Sequence, residues 1–413
     1  MSLSNGTSIY EALGRRAPHP FPARMAPGIV LDLLAKAPAR LRVLDPMMGS
    51  GTVIALAQAK GHAAIGIDID PLSILIGRVW TSVVEIENVR LAAIAVLDRA
   101  RYISKSLLTQ YAYPDAADTE TKSFVRYWFD AYARRQLTAL AKAIADLPDG
   151  TGKDVLWCAF SRLIITKQAG ASLAMDLAHS RPHKVYSFAP VKPFNKFLWT
   201  VDRVLESCVS KMASGFGPAP NIQRADARNI PLESGSIDLV LTSPPYLNAI
   251  DYLRCSKFAL VWMGHNVSEL RKIRNESVGS EAGNRNSALD AKIIDGILLD
   301  LRLESALVGS HLARLSRYIS DMVLSVQEVA RVLAPGGQAV YVIGENTIRG
   351  TYIPNSIIIR AAAKLAGLEL LETHSRNLPA NRRYLPPPSR KGVASLDARL
   401  RREVVMTYVK LAD

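Results

Sequence analysis

Apolar and polar positions along the chain change period several times, and each change marks an element. Residues 41–45, LRVLD, form a short apolar run that reads as a strand, and 51–61, GTVIALAQAKG, carries apolar residues at helical spacing up to Gly61. Residues 63–68, AAIGID, return to a strand, so this stretch makes one βαβ unit and predicts a parallel sheet. From residue 84 the period lengthens. ENVRLAAIAVLDRARYISKSLL, ETKSFVRYWFDAYARRQLTALAKAIADL, DVLWCAFSRLIITKQA and FNKFLWTVDRVLESCVSKMA each repeat an apolar face every three or four positions.

Strand patterns resume at NIQRAD (221–226) and IDLVL (237–241). After a polar interval come a helix, SDMVLSVQEVARVL, the turn APGG and the strand QAVYVI. The pattern ends with a helix, SIIIRAAAKLAG, and two strands, LELLETHS and EVVMTYVKLA. Those two strands have no crossover helix between them, so they are expected to pair antiparallel at the edge of a mostly parallel, seven-stranded α/β sheet. The predicted organisation is a sheet domain from 1–83 and 216–413, interrupted by a mainly helical insertion over 84–215 that serves target recognition or forms a lid.

Composition sharpens this picture. The 413 residues carry a formal net charge of +14, which favours a polyanionic partner such as nucleic acid. Only 3 cysteines are present, scattered at 158, 208 and 255, so neither a disulfide framework nor a structural metal is expected. With no apolar stretch of spanning length either, a soluble cytoplasmic protein without membrane contact is the expectation.

Two loops carry candidate chemistry. DPMMGSGT (45–52) joins the first strand to the first helix, where Gly49 and Gly51 allow a tight turn and close approach to a ligand. No Lys follows Gly51 as a P-loop would need, and Ile54 stands where a dinucleotide fingerprint has its third glycine. Asp68 ends the second strand, placed to accept the hydroxyls of a ribose; Asp70 fits a helix cap before Pro71. Asp226, after the third strand, fits either an adenine contact or a turn cap. The second loop is TSPPY (242–246), where a buried strand runs into two prolines.

DPMMGSGT, then GIDIDP, RADARNIP and TSPPY in that order resemble the S-adenosylmethionine-dependent amino-methyltransferases of DNA, over residues 19–82 and 220–412. The resemblance implies a Rossmann-like methyltransferase fold with S-adenosylmethionine as cofactor. It implies Asp45, Pro46, Gly49, Gly51 and Thr52 at the methionine end, Asp68 at the ribose and Asp226 at the adenine. HPFPARMAPGIV (19–30) corresponds to the segment that packs over the methionine end.

The chemistry of TSPPY then follows. An exocyclic amine is a weak nucleophile because its lone pair is shared with the ring. The Ser243 hydroxyl and the Pro244 carbonyl are acceptors for its hydrogens, Pro244 and Pro245 hold them rigid, and Tyr246 stacks on a base turned out of the duplex. Serine before the prolines favours N4 of cytosine over N6 of adenine in this family, although a glycine loop ahead of the SPPY segment departs from many serine-type members. An RNA amine methyltransferase and a catalytically silent nucleic-acid-binding relative are the other readings.

Double-stranded DNA is thus the expected partner, with a cognate restriction endonuclease as a second. Asn248, Arg376, Arg382 and Arg383 are candidate nucleic-acid contacts, and Arg126, Arg134, Arg135 and Lys142 are the basic residues by which the insertion would reach a groove. The polar interval 265–297 reads as a loop over the DNA, a lid or a plain disordered insertion.

Overall fold

The computed structural model describes residues 7–21, 24–35, 37, 39–179, 182–210, 215–247, 251–280, 289–303, 307–348, 351–377 and 402–412. Seven strands, β1 (Arg42–Asp45), β2 (Ala63–Asp68), β3 (Asn221–Arg224), β4 (Ile237–Thr242), β5 (Leu333–Gly344), β6 (Leu368–Asn377) and β7 (Arg402–Lys410), form one sheet in the order β6-β7-β5-β4-β1-β2-β3. β1 pairs parallel with β4, β4 with β5, and β2 with β3. β7 runs antiparallel to both β5 and β6, so the expected antiparallel pair stands at the edge with β6 outermost. This is the mostly parallel, Rossmann-like sheet expected of the sequence. Among the described residues no helix is long and apolar enough to cross a membrane.

The chain divides into two compact units. The first comprises Met1–Pro38, Met48–Arg224 and Ile250–Arg274. Its helices include Thr52–Ala59, Pro71–Thr81, Ile86–Ser106, Thr119–Trp128, Ala131–Ala145, Thr151–Ile164, Pro193–Leu205 and Leu253–Leu260. Local chemistry sets their starts. Proline occupies the first turn at Pro71 and Pro193, and Asp118 and Asp130 cap their helices by accepting from Thr121 and from Tyr132 and Ala133. Val96, Leu137, Leu140, Phe160, Phe197 and Phe258 are part of one apolar core.

Two expectations change here. Arg134 does not reach outward: it is 8% exposed, with its guanidinium 5.0 Å from the centre of the Tyr113 ring. Its position on the Ala131–Ala145 helix falls among the buried ones, so its charge is held against an aromatic face rather than in water. Arg126 donates to the Tyr113 hydroxyl at 3.1 Å, and Lys142 lies 3.3 Å from Asp115. The polar interval is also more ordered than a loop, because Val267–Glu276 and Ala291–Asp300 are helices that bury Val267, Leu270 and Ile273, and Ile294 and Ile297. Residues 281–288 lie outside the described residues.

The second unit comprises Ala39–Met47, Ala225–Ala249 and Asn275–Asp413. Helix Ser310–Val332 buries Leu315, Ile319, Val323, Val326 and Val329, and Asn355–Leu365 buries Ile358, Ile359 and Ala362. β4 is buried along nearly its whole length, as its apolar run predicts. β6 is exposed on both faces from Glu369 to Ser375, and its charged and polar side chains blunt the unpaired edge.

Candidate active site

In the second unit, Val43 and Leu44 of β1 lie opposite Leu239 and Val240 of β4. The two strands therefore end together, and the Thr242 hydroxyl donates to Asp45 Oδ1 at 2.9 Å, both side chains being buried. Asp45 Oδ1 also accepts the Met47 amide at 3.2 Å, which turns the chain around Pro46. One carboxylate thus binds the start of the glycine loop to the strand that delivers Ser243.

Beyond Thr242, Pro244 and Pro245 have no amide hydrogen to continue a ladder, so the chain leaves the sheet. The Ser243 hydroxyl lies 3.5 Å from the Tyr246 hydroxyl, which donates to Glu403 Oε1 at 3.3 Å. Glu403, at the start of β7, takes Arg376 Nε on its other oxygen at 2.8 Å. Arg376 is therefore not the exposed phosphate contact expected of it. It stands directly opposite Glu403 across the antiparallel β6–β7 pair, and the two side chains are only 10% and 13% exposed. A buried guanidinium without a carboxylate partner would be costly, and Glu403 supplies that partner. The turn is further held by Asn346, whose side-chain amide donates to the Leu247 carbonyl. A Cβ on Gly279 would lie 3.7 Å from the Pro245 ring, so this backbone packs over the second proline.

Asp226 accepts the Arg228 amide at 2.9 Å and is gripped by the Arg228 guanidinium at 2.6–3.2 Å. The same guanidinium reaches Asp321 at 2.5 Å and the Glu276 carbonyl at 2.6 Å. Two carboxylates hold Arg228 in its charged form although it is 10% exposed.

In the first unit, Gly49 and Gly51 adopt left-handed φ of 47° and 76°. A side chain on Gly51 would meet the Gly77 backbone at 3.3 Å, and one on Gly49 would meet the Phe21 ring at 3.2 Å. The loop closes by Gly51 donating to Met48 and leads into the Thr52–Ala59 helix. Thr52 is buried and shares a 3.0 Å hydrogen bond with Ser50.

The Gly49 amide donates to Asp68 Oδ2 at 2.8 Å, and the Asp70 amide donates to Asp68 Oδ1 at 2.9 Å. Asp68 is half-buried by area, and desolvation of its carboxylate pushes it up to about 6. Asp70 caps the next helix by accepting from Leu72, and its other oxygen takes the Ser256 hydroxyl at 2.9 Å. Burial, and then the neighbouring Asp68 charge, push Asp70 up to about 7. Phe21, from the HPFPARM segment, stacks on Tyr252 with ring centres 4.9 Å apart. Asp251 is engaged by Arg274 at 2.5 Å and Arg254 at 3.6 Å.

Glu403 and Arg228 were not singled out by sequence. Glu403 lies 157 residues from Tyr246, too far for any local pattern, whereas Arg228 sits in the quoted RADARNIP and was visible only as a charge. Asn248, Arg382 and Arg383 lie outside the described residues. Among the described residues, no group of three or more His, Cys, Asp or Glu is placed to hold a metal ion.

No family model matches the chain. It is 22% identical over 394 residues to the Type II methyltransferase M.MvaI of Kocuria varians, covering 88% of this chain and 84% of the relative. It is 19% identical over 384 residues to the Type II methyltransferase M.BsoBI of Geobacillus stearothermophilus, covering 81% and 74%. Among solved structures, a SAM-dependent methyltransferase from Methanosarcina mazei is 9% identical, with 92% of this chain and 98% of that one covered and a TM-score of 0.34. Having two Type II methyltransferases aligned along most of its length, the chain is their distant relative and resembles the DNA methyltransferase family that its motifs pointed to.

Proposed function

We propose that the protein transfers a methyl group from S-adenosylmethionine to the exocyclic amine of a base in double-stranded DNA, with N4 of cytosine as the target. The observation that carries this is the buried Thr242–Asp45 hydrogen bond. It ties the end of the strand that leads into DPMMGSGT to the end of the strand that leads into SPPY.

The residues fit the cofactor. Gly49 and Gly51 have no Cβ and turn through left-handed backbone, and Asp68, half-buried by area, would accept ribose hydroxyls. Asp45, Pro46 and Thr52 would frame the methionine end. Asp226, gripped by Arg228 but still 33% exposed, would meet the adenine. When bound, S-adenosylmethionine supplies an electrophilic methyl group.

The chain's own residues prepare the amine. Ser243 Oγ and the Pro244 carbonyl accept from its hydrogens, which concentrates the nitrogen lone pair, and Pro245 fixes their direction. Tyr246, its hydroxyl anchored on Glu403, presents a ring of fixed orientation to a base taken out of the stack. Serine at 243, with a hydroxyl in place of a carboxylate or carboxamide, supports cytosine.

The test is nucleoside mass analysis of DNA from cells expressing the protein, beside the Ser243→Ala and Tyr246→Ala variants. N4-methylcytosine is expected, falling about 100-fold or more in rate for each variant while calorimetric cofactor binding is retained. N6-methyladenine would overturn the choice of base, and unmodified DNA from active-site-intact protein would overturn the function.

A further inference from the structure

Helix Pro193–Leu205 buries Phe197, Thr200, Val201, Val204 and Leu205. Lys192, Lys196, Trp199 and Arg203 follow one another at spacings of four, three and four residues, which aligns them along its other face. The Lys196 ammonium lies 3.4 Å from the centre of the Trp199 ring, with Arg203 over the same ring at 5.2 Å. Lys192 lies over Tyr132 at 4.9 Å, and Lys184 over Tyr127 at 4.6 Å. Asp130, between those tyrosines, accepts the Ala189 amide at 2.6 Å and so holds the segment of Lys184 beside them. All three rings are exposed, by 45% for Trp199, 47% for Tyr132 and 55% for Tyr127.

Among the described residues Arg203 pairs with the carboxylate of Glu206. Among the described residues Lys184, Lys192 and Lys196 have only rings for partners. An exposed cation–π contact is worth only about 0.5–1 kcal/mol, so these ammonium groups keep their charge for a stronger anion.

We propose that this line of lysine-capped rings grips the phosphate backbone of double-stranded DNA. The proposal rests on DNA being the substrate. The helical part of the line, Lys192 to Arg203, spans roughly 16 Å at 1.5 Å per residue, and a duplex carries one charge per about 1.7 Å, so several phosphates fall within its reach. Duplex is favoured over single strand because bases of a single strand need open ring faces for stacking, and here lysines cover them.

The experiment measures anisotropy of a labelled duplex against salt for the full chain. The Lys184→Gln, Lys192→Gln, Lys196→Gln triple variant is compared with a control of equal charge, Lys60→Gln, Lys105→Gln, Lys364→Gln. The stripe variant should lose about 10-fold or more in affinity near 0.1 M salt and flatten the log–log salt slope by about 2–3, since each lost phosphate contact removes about 0.9. Thermal melts and cofactor titration check that both variants remain folded. Equal slopes for the two variants would overturn the stripe. A larger loss for single-stranded DNA or for RNA than for duplex DNA would overturn its assigned occupant. Parent protein with no salt-dependent duplex binding would instead reject DNA as the substrate.

Discussion

The glycine loop and the Ser-Pro-Pro-Tyr turn are rigid for opposite reasons. Around the loop, rigidity comes from space that is missing: Met48 is 4% exposed and its sulfur fills the place of a side chain at Gly66, while Gly77 leaves no more room. Around the turn, rigidity comes from polar atoms that are present, in the Thr242–Asp45 bond and in the chain from Tyr246 through Glu403 to Arg376. The first region should fail when an atom is added and the second when an atom is removed.

The sharpest way to break this contrast is Gly66→Ala. The new Cβ would lie 2.5 Å from Met48 Sδ and 3.0 Å from Ile54 Cγ1, and overpacking of this kind costs about 1–3 kcal/mol. The upper end is expected, since Met48 is enclosed, along with weaker cofactor binding; a melting temperature and affinity equal to the parent's would remove steric closure as the cause of rigidity there. Thr242→Val makes the converse change, keeping volume and deleting one donor to a buried carboxylate. Urea unfolding should show a loss of about 1–2 kcal/mol, with Thr242→Ser restoring most of it.

A third test lies where the two kinds of rigidity meet, at Asp70, which is packed and also hydrogen-bonded. Its folded pKa, pushed up to about 7, lies above the ordinary value of 3.8. Its contribution is therefore full below about pH 4 and is lost as pH rises through 7, because the unfolded chain gives up the proton first. Asp70→Asn keeps the helix cap through its carbonyl oxygen, turns an amide donor toward Ser256, whose hydroxyl can still donate to the Tyr252 carbonyl, and never ionises. It should melt higher than the parent at pH 8 and no differently at pH 4, and a pH-independent difference would show that Asp70 acts by shape alone.

What could be read from the sequence follows the same contrast. Steric rigidity leaves local marks: Gly49, Gly51, the paired prolines and Pro71 all announce turns or helix starts within a few residues. The strands were legible because β1, β2 and β4 are short apolar runs, and the antiparallel edge followed from the missing crossover helix. Polar rigidity depends on partners distant in the chain. Arg376 read as a surface cation because only the β6–β7 pairing sets it opposite Glu403. Arg134 read the same way because its charge outweighed its place in the helix's buried phase. The helix Val267–Glu276 was hidden since its few apolar residues are diluted by charged ones, whereas Ala291–Asp300 is rich in apolar residues and was passed over because a polar interval precedes it.

The position of β7 bears on how the protein comes to exist. β7 follows β5 and β6 in the chain and lies between them in the sheet. Until residues 402–410 are synthesised, β6 has no partner to join and β5 keeps an open flank, so this part of the sheet is finished by filling a gap rather than by growing outward. Such long-range pairing is slow to form, which leaves strand edges uncovered in the interim and open to pairing with other chains. Glu403 rides on the strand that fills the gap, so Tyr246 receives its anchor in the step that makes the sheet whole.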